Sequence, residues 1–259
     1  MDLRFDDKTV LVTGAAGAIG KNIGAEFAAS GANVFITDLD QGQVDAAAEE
    51  VGSGCRGLAA NVTDEEQVKA CVEGAAEAFN GKVDVLVNVA GIVAQGKVED
   101  ITVEDWDKMF AVNCKGSFLF TKYVVPLMKA NKYGRIINFS SKSGKTGSAL
   151  MTHYSAAKAA IMGFTQALAY ELASDGITSN CICPGITDST GVWKNVSAGY
   201  IENLEMERAE VVKKFTAKIP LQRLANINDV VAVTVFLASE GADYMTGQSI
   251  NVTGGREMH

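Results

Sequence analysis

The chain has 259 residues, 47% of them hydrophobic and 21% charged, which is enough to bury a large core in a single α/β domain spanning residues 1–259. A formal net charge of −8, with no basic run or basic helix face to offset it, argues against nucleic acid and anionic membrane as partners. The start Met1–Asp7 is polar and acidic, unlike a secretory signal, and no apolar run reaches membrane-spanning length. Five cysteines without Cys-x-x-Cys spacing read as reduced thiols, so a cytoplasmic protein is expected. With two histidines and no His/Cys cluster, no metal site is expected, and any redox chemistry must come from a bound cofactor.

In chain order, the first β-branched run, Thr9 to Thr13, predicts a strand. It leads directly into Thr13-Gly14-Ala15-Ala16-Gly17-Ala18-Ile19-Gly20 and a helix from Ala18 to Ser30. A glycine-rich strand-to-helix turn presents backbone N–H groups and a helix N-terminus to a pyrophosphate. A second strand, Asn33 to Thr37, ends at Asp38, eighteen residues after Gly20. That carboxylate would accept hydrogen bonds from adenosine ribose hydroxyls and repel a 2′-phosphate. No Arg or Lys at Ala15, Ala16 or Leu39 offsets the repulsion, so NAD is expected over NADP.

Strands are expected next at Gly57 to Ala60 and Val83 to Asn88, with a helix from Asp64 to Phe79 between them. The strand ends carry Asn61-Val62, which could meet adenine, and Asn88-Val89-Ala90-Gly91, whose small residues would let backbone approach a dinucleotide. Turn chemistry alone would also explain both. A helix follows from Val103 to Lys129, then a strand Arg135 to Ser140, a helix Thr152 to Ser174, and strands Thr178 to Cys183 and Ser249 to Val252. Seven strands alternating with helices predict a doubly wound Rossmann-type parallel sheet with helices on both faces. The long connection from about 186 to 219, containing Trp193, Tyr200 and Met206, is placed to act as a substrate lid.

Tyr154 and Lys158 lie four residues apart on one predicted helix, hence on one face, with Ser141 thirteen residues before Tyr154. A phenol with a pKa of about 10 is a poor base at neutral pH, and a neighbouring ammonium favours its phenolate. A helix in which the Tyr packs and the Lys is solvated would give the same spacing.

Together these motifs resemble the short-chain dehydrogenase/reductase family, over essentially the whole chain to Thr246-Gly247-Gln248. The resemblance implies hydride transfer between a secondary alcohol and a nicotinamide, a homotetramer, and a catalytic set of Asn113, Ser141, Tyr154 and Lys158. In that reading Tyr154 is the general acid/base, Lys158, helped by the positive charge of oxidised nicotinamide, lowers its pKa and binds ribose, Ser141 orients the substrate oxygen, and Asn113 holds a water. Ser141 is preferred over Ser140 because its spacing to Tyr154 and the following Gly144 match the family pattern. Pro184-Gly185 matches the nicotinamide-side turn, with Ser189 at the carboxamide position and Thr187 and Thr190 nearby. The chain departs from the pattern at Ala18, Val89 and Asn61, where Gly, Asn and Asp are usual.

For the substrate, Lys142, Lys145 and His153 flank the reactive residues and Trp193 and Lys194 lie on the lid. These polar groups suit a hydroxylated molecule, although they could equally be surface charges. The run Ile250-Asn251-Val252-Thr253-Gly254-Gly255 looks like that of sugar-alcohol and sugar-phosphate members of the family, so a polyol or sugar, phosphorylated or not, is expected. The competing readings are a reductase of 3-oxoacyl or other ketones and a non-catalytic dinucleotide-binding protein.

Overall fold

The computed structural model describes residues 3–191 and 208–259. Seven strands form one parallel sheet in the order β3-β2-β1-β4-β5-β6-β7, where β1 is Thr9–Thr13, β2 Asn33–Thr37, β3 Arg56–Gly57, β4 Val85–Asn88, β5 Gly134–Phe139, β6 Ile177–Pro184 and β7 Ser249–Val252. Chain order reverses between β1 and β4, so a crevice opens at the carboxyl ends of those two strands.

Alternation along each strand explains why both sheet faces are covered. Val10 and Val12 of β1, Val85 and Val87 of β4 and Ile137 of β5 join one core cluster. Leu11, Leu86 and Ile136, one residue out of phase, join the other. The first face is closed by α1 (Ala18–Ala29), α2 (Gln41–Val51) and α9 (Ile227–Ala238), contributing Ile23, Phe27, Val44 and Val235. The second is closed by α3 (Glu65–Ala78), α5 (Gly116–Asn131) and α7 (Thr152–Leu172), contributing Val68, Phe120, Val124 and Leu168. Each such fully buried aliphatic or Phe side chain is worth on the order of 1.5–3 kcal/mol. Side-chain caps set several helix starts: Asp40 accepts from Gln43 N and Asp64 from Gln67 N, while Asn226 and Asp229 form a reciprocal box.

Two elements depart from the sequence reading. β3 is only Arg56–Gly57, shorter than the expected run to Ala60. Leu58 N and Ala60 N still donate to Ile36 O and Asp38 O, so the chain follows β2 as an edge without a full ladder. The helix expected from Val103 to Lys129 is broken into α4 (Val103–Phe110), a π-helical turn Ala111–Lys115, and α5. Asn113 causes the break: its buried side-chain amide donates to Met109 O and to Ile92 O, both at 3.0 Å, competing with regular helical pairing.

Among the described residues the remaining α-helices are α6 (Lys142–Thr146) and α8 (Arg208–Thr216). Of the expected lid, Trp193, Lys194, Tyr200 and Met206 lie outside the described residues. No helix among the described residues is long and apolar enough to cross a membrane.

Candidate active site

The first half of the site is built by β1 and its neighbours. β1 ends in Gly14, whose φ of +67° suits glycine, and a Cβ there would lie 2.8 Å from the Ala90 backbone. Gly20 is equally constrained, since its Cβ would meet Gly14 O at 2.5 Å. These contacts seat the start of α1 against the β4 end. That helix start, at Gly17, has no side-chain cap and no acidic residue in its first turn, leaving its N–H groups for an anion.

Asp38 closes the far side of the turn. One of its carboxylate oxygens accepts from Ala16 N at 2.9 Å and the other from Leu39 N at 2.8 Å. Ala15 N donates to Thr37 O at 3.1 Å, so β2 and the glycine turn are knitted before any ligand arrives.

A single cavity of about 1180 Å³ runs from Asp38 and the glycine turn, past Asn61, Val62, Ala90 and Gly91, to Ser141, Tyr154 and Lys158. Its lining includes Gly14, Gly17, Ile19, Gly20, Leu39, Asn113, Pro184, Gly185 and Thr187. Three expected cofactor contacts do not line it. Ala16 spends its N–H on Asp38. Asn88 turns into the core, where its amide donates to Asn138 Oδ1 at 2.9 Å. Ser189 sits exposed at φ +60° with its N–H on Asp188, leaving Thr187 and Thr190 as the hydroxyls that face the cavity.

The reactive half rests on α6 and α7. Gly144 lets α6 press onto α7, since a Cβ there would lie 2.7 Å from the Lys158 carbonyl carbon. The paired serines separate by role. Ser140 donates to Lys158 O at 2.6 Å, an internal tie. Ser141 caps α6, accepting from Ser143 N at 3.1 Å, and hydrogen-bonds the Tyr154 phenol. Lys158 Nζ donates to Phe139 O at 2.9 Å and lies 5.8 Å from the Tyr154 ring centre.

Both ends of the Tyr154/Lys158 pair are buried, and burial outweighs proximity. It pushes the Tyr154 phenol above its ordinary value, with the Ser141 hydrogen bond opposing, and it brings the Lys158 ammonium down from 10.5 to about 8. In the ligand-free protein, burial thus works against the lowering of the Tyr154 pKa expected from Lys158 together with the charge of an oxidised nicotinamide. Asn113 Oδ1 is buried without a hydrogen-bond partner among the described residues, and a Cβ on Gly91 would lie 2.6 Å from it and 3.2 Å from Lys158 Nζ. This orphan acceptor and the Lys158 ammonium thus border the same point.

Of Lys142, Lys145 and His153, Lys142 lines the cavity. Lys145 donates to Ser249 O at 2.7 Å, and His153 is buried, its imidazole disfavoured as a cation by that burial. Lys218 and Arg256 line the cavity although nothing in the motif pattern pointed to them. No cluster of metal-ligating residues occurs among the described residues.

A family model described as enoyl-(acyl carrier protein) reductase matches residues 14–257. The chain belongs to the short-chain dehydrogenase/reductase family. It is 37% identical to a galactitol 2-dehydrogenase of Agrobacterium fabrum, covering 99% of this chain and 100% of that one. A sorbitol dehydrogenase of Cereibacter sphaeroides is 34% identical over 99% of this chain and 100% of its own. A 3-oxoacyl-(acyl-carrier-protein) reductase of Thermotoga maritima is 37% identical over 98% and 99% of the two chains. Within the family, the protein is an NAD(P)-dependent oxidoreductase.

Proposed function

We propose that the protein interconverts a secondary alcohol and a ketone on a polyol or sugar, using NAD. The observation that carries the reading is the convergence of Ser141, Tyr154 and Lys158 on the same cavity as the glycine turn and Asp38. The residues fit a dinucleotide: the uncapped start of α1 suits the pyrophosphate, Asp38 the adenosine ribose, Asn61 and Val62 the adenine, Ala90 and Gly91 close backbone approach, and Thr187 the carboxamide side. When bound, NAD supplies the hydride-accepting carbon and, oxidised, a positive charge.

Ser141 orients the substrate oxygen and Tyr154 exchanges the proton with it. As a buried neutral phenol, Tyr154 is ready to donate to a ketone oxygen; alcohol oxidation requires its phenolate, which added positive charge beside it favours. Lys158 holds a ribose hydroxyl, and a water between Asn113 Oδ1 and Lys158 Nζ links that ammonium towards solvent. Of the segment from about 186 to 219, the described residues Ile186, Thr190, Phe215 and Lys218 line the cavity, which supports a substrate-facing role for them. Trp106 on α4, Phe118 on α5 and Tyr170 on α7 stay 41%, 48% and 92% exposed, which supports subunit packing in a homotetramer.

A screen of polyols, sugars and 3-oxoacyl thioesters with NAD and NADP, on the wild type and Tyr154→Phe, tests the reading. The wild type should turn over polyols with NAD. Tyr154→Phe should still bind NADH by fluorescence while turnover falls by about 10²- to 10⁴-fold. Preference for oxoacyl thioesters with NADPH would replace this reading with the biosynthetic one, and NADH binding without turnover on any class would favour a dinucleotide-binding role.

A further inference from the structure

One end of the cavity carries a charge out of keeping with the protein as a whole. Against a net charge of −8, Lys142, Lys218 and Arg256 all line this end. Their charges act on one another: Arg256 and Lys218 both disfavour the Lys142 ammonium, which burial already weakens. Among the described residues the carboxylate paired with them is Glu257, 3.3 Å from Arg256 Nε and 3.9 Å from Lys142 Nζ. Counted over the described residues, three cations against that carboxylate leave the end net positive. Glu257 approaches Arg256 at Nε, while Arg256 Nη1 and Glu257 Oε2 are both buried with no hydrogen-bond partner among the described residues. A buried guanidinium N–H without an acceptor is costly unless a ligand supplies one.

The backbone is shaped to bring these side chains together from distant parts of the chain. Gly254 and Gly255, at φ +64° and +90°, turn beneath the segment before α9, where added Cβ atoms would meet Ile219 and Pro220 at 2.7 and 2.9 Å. Leu221 N donates to Gly254 O at 3.1 Å, and Thr253 Oγ1 to Glu257 O at 3.1 Å. These contacts hold the turn that precedes Arg256 against the segment that follows Lys218. Lys142 directly follows Ser141, and its Nζ is held by Ser148 Oγ at 3.1 Å. The cationic end thus shares a cavity with the reacting residues, while Asp38 occupies the opposite, adenosine end.

We infer that Lys142, Lys218 and Arg256 form a subsite for a phosphate monoester, so that the substrate is a phosphorylated polyol or sugar whose phosphate lies away from the reacting carbinol. This rests on the polyol reading above and narrows it. A phosphomonoester carries a charge of about −1.5 to −2 at neutral pH and three acceptor oxygens, matching several converging cations better than a single carboxylate does. A hexitol hydroxyl can accept from Arg256 Nη1 but brings no negative charge to meet the three cations.

The test is a matched panel of hexitols, their 6-phosphates and the corresponding hexonates, assayed with NAD on wild type, Arg256→Ala, Arg256→Lys and Lys218→Ala, with inorganic phosphate as inhibitor. The hexitol phosphates should be preferred. Arg256→Ala should lower kcat/KM for them by about 10- to 100-fold, collapsing the phosphate-to-hexitol ratio, with partial recovery in Arg256→Lys. Inorganic phosphate should compete with the phosphorylated substrate but not with NAD. Equal turnover of hexitols and their phosphates, or an unchanged ratio in Arg256→Ala, overturns the inference while leaving the polyol reading intact. A preference for hexonates assigns the subsite to carboxylates and overturns it too. An equal loss of NAD affinity in Arg256→Ala would place the cations on the cofactor. If no member of the panel turns over, the polyol reading falls, and titration of the protein–NADH complex with a hexitol 6-phosphate decides the subsite separately: saturable binding lost in Arg256→Ala supports it, and no binding refutes it.

Discussion

Gly91→Ala is the sharpest probe of the reactive half of the site. The added methyl carbon would sit 2.6 Å from Asn113 Oδ1, roughly 0.7 Å inside an ordinary carbon–oxygen contact, and 3.2 Å from Lys158 Nζ. Neither neighbour yields easily. Asn113 is pinned by its 3.0 Å bonds to Met109 O and Ile92 O, and Lys158 by its 2.9 Å bond to Phe139 O. Relief must stretch one of these bonds or move the β4 end, costing about 1–3 kcal/mol. For a chain of this length, at about 2 °C per kcal/mol, that lowers Tm by roughly 2–6 °C. Displacing Lys158 or Asn113 by a fraction of an ångström should lower kcat by about 10- to 100-fold. The measurement is a thermal melt with steady-state kinetics, repeated in an Asn113→Ala background. There the clashing oxygen is gone, and the Tm penalty of Gly91→Ala should shrink by at least half. Wild-type melting and turnover in Gly91→Ala, or the same penalty in both backgrounds, would refute the contact.

Asp38→Ala removes the carboxylate that would repel a 2′-phosphate and also its two ties to Ala16 and Leu39, so NAD affinity should fall by about tenfold and NADP should become comparable; unchanged selectivity would take Asp38 out of cofactor choice. The Lys158 pKa, about 8 in the fold against 10.5 unfolded, means that the unfolded chain binds the extra proton between those values. The contribution of this group to stability is thus unfavourable below about pH 8 and is relieved as pH rises towards 10.5, by about 3 kcal/mol in all. Denaturant titrations of ligand-free wild type and Lys158→Met should therefore converge as pH rises from about 7.5 to about 10, the variant being the more stable at the lower end; parallel curves would exclude a depressed Lys158. Gly14→Ala combines a strained φ of +67° with a 2.8 Å approach to Ala90 and should cost several °C in Tm together with NADH affinity, both read in one fluorescence melt.

The sheet and dinucleotide end were legible because local rules and the global fold agree there. Val10, Leu11 and Val12 supply both core faces from one strand, and the glycine turn and Asp38 follow directly from strand ends. What escaped depends on contacts between distant residues. The period of Val103 to Lys129 is helical throughout, and only the approach of the Ile92 carbonyl lets Asn113 break it. Asn88 reads like a cofactor contact because its partner Asn138 is fifty positions away on the adjacent strand. The burial that pushes the Tyr154 phenol up is not legible in a spacing that reports only proximity to Lys158. Arg256 and Lys218 are brought together by a turn whose one visible signal was the pair Gly254-Gly255.

The π-helical turn at Ala111–Lys115 inserts the equivalent of one residue into an otherwise continuous helix. Each residue of an α-helix turns the chain by about 100°, so this insertion sets α4 and α5 out of phase with each other by roughly that angle. The helix can therefore present Leu119, Phe120 and Val124 to the core on one side of the break and Met109 to the neighbourhood of Tyr154 on the other. A single deletion anywhere in Ala111–Lys115 would restore an ideal helix and at the same stroke rotate one of these faces away from its target. Regularity there would gain backbone hydrogen bonds and lose the enzyme.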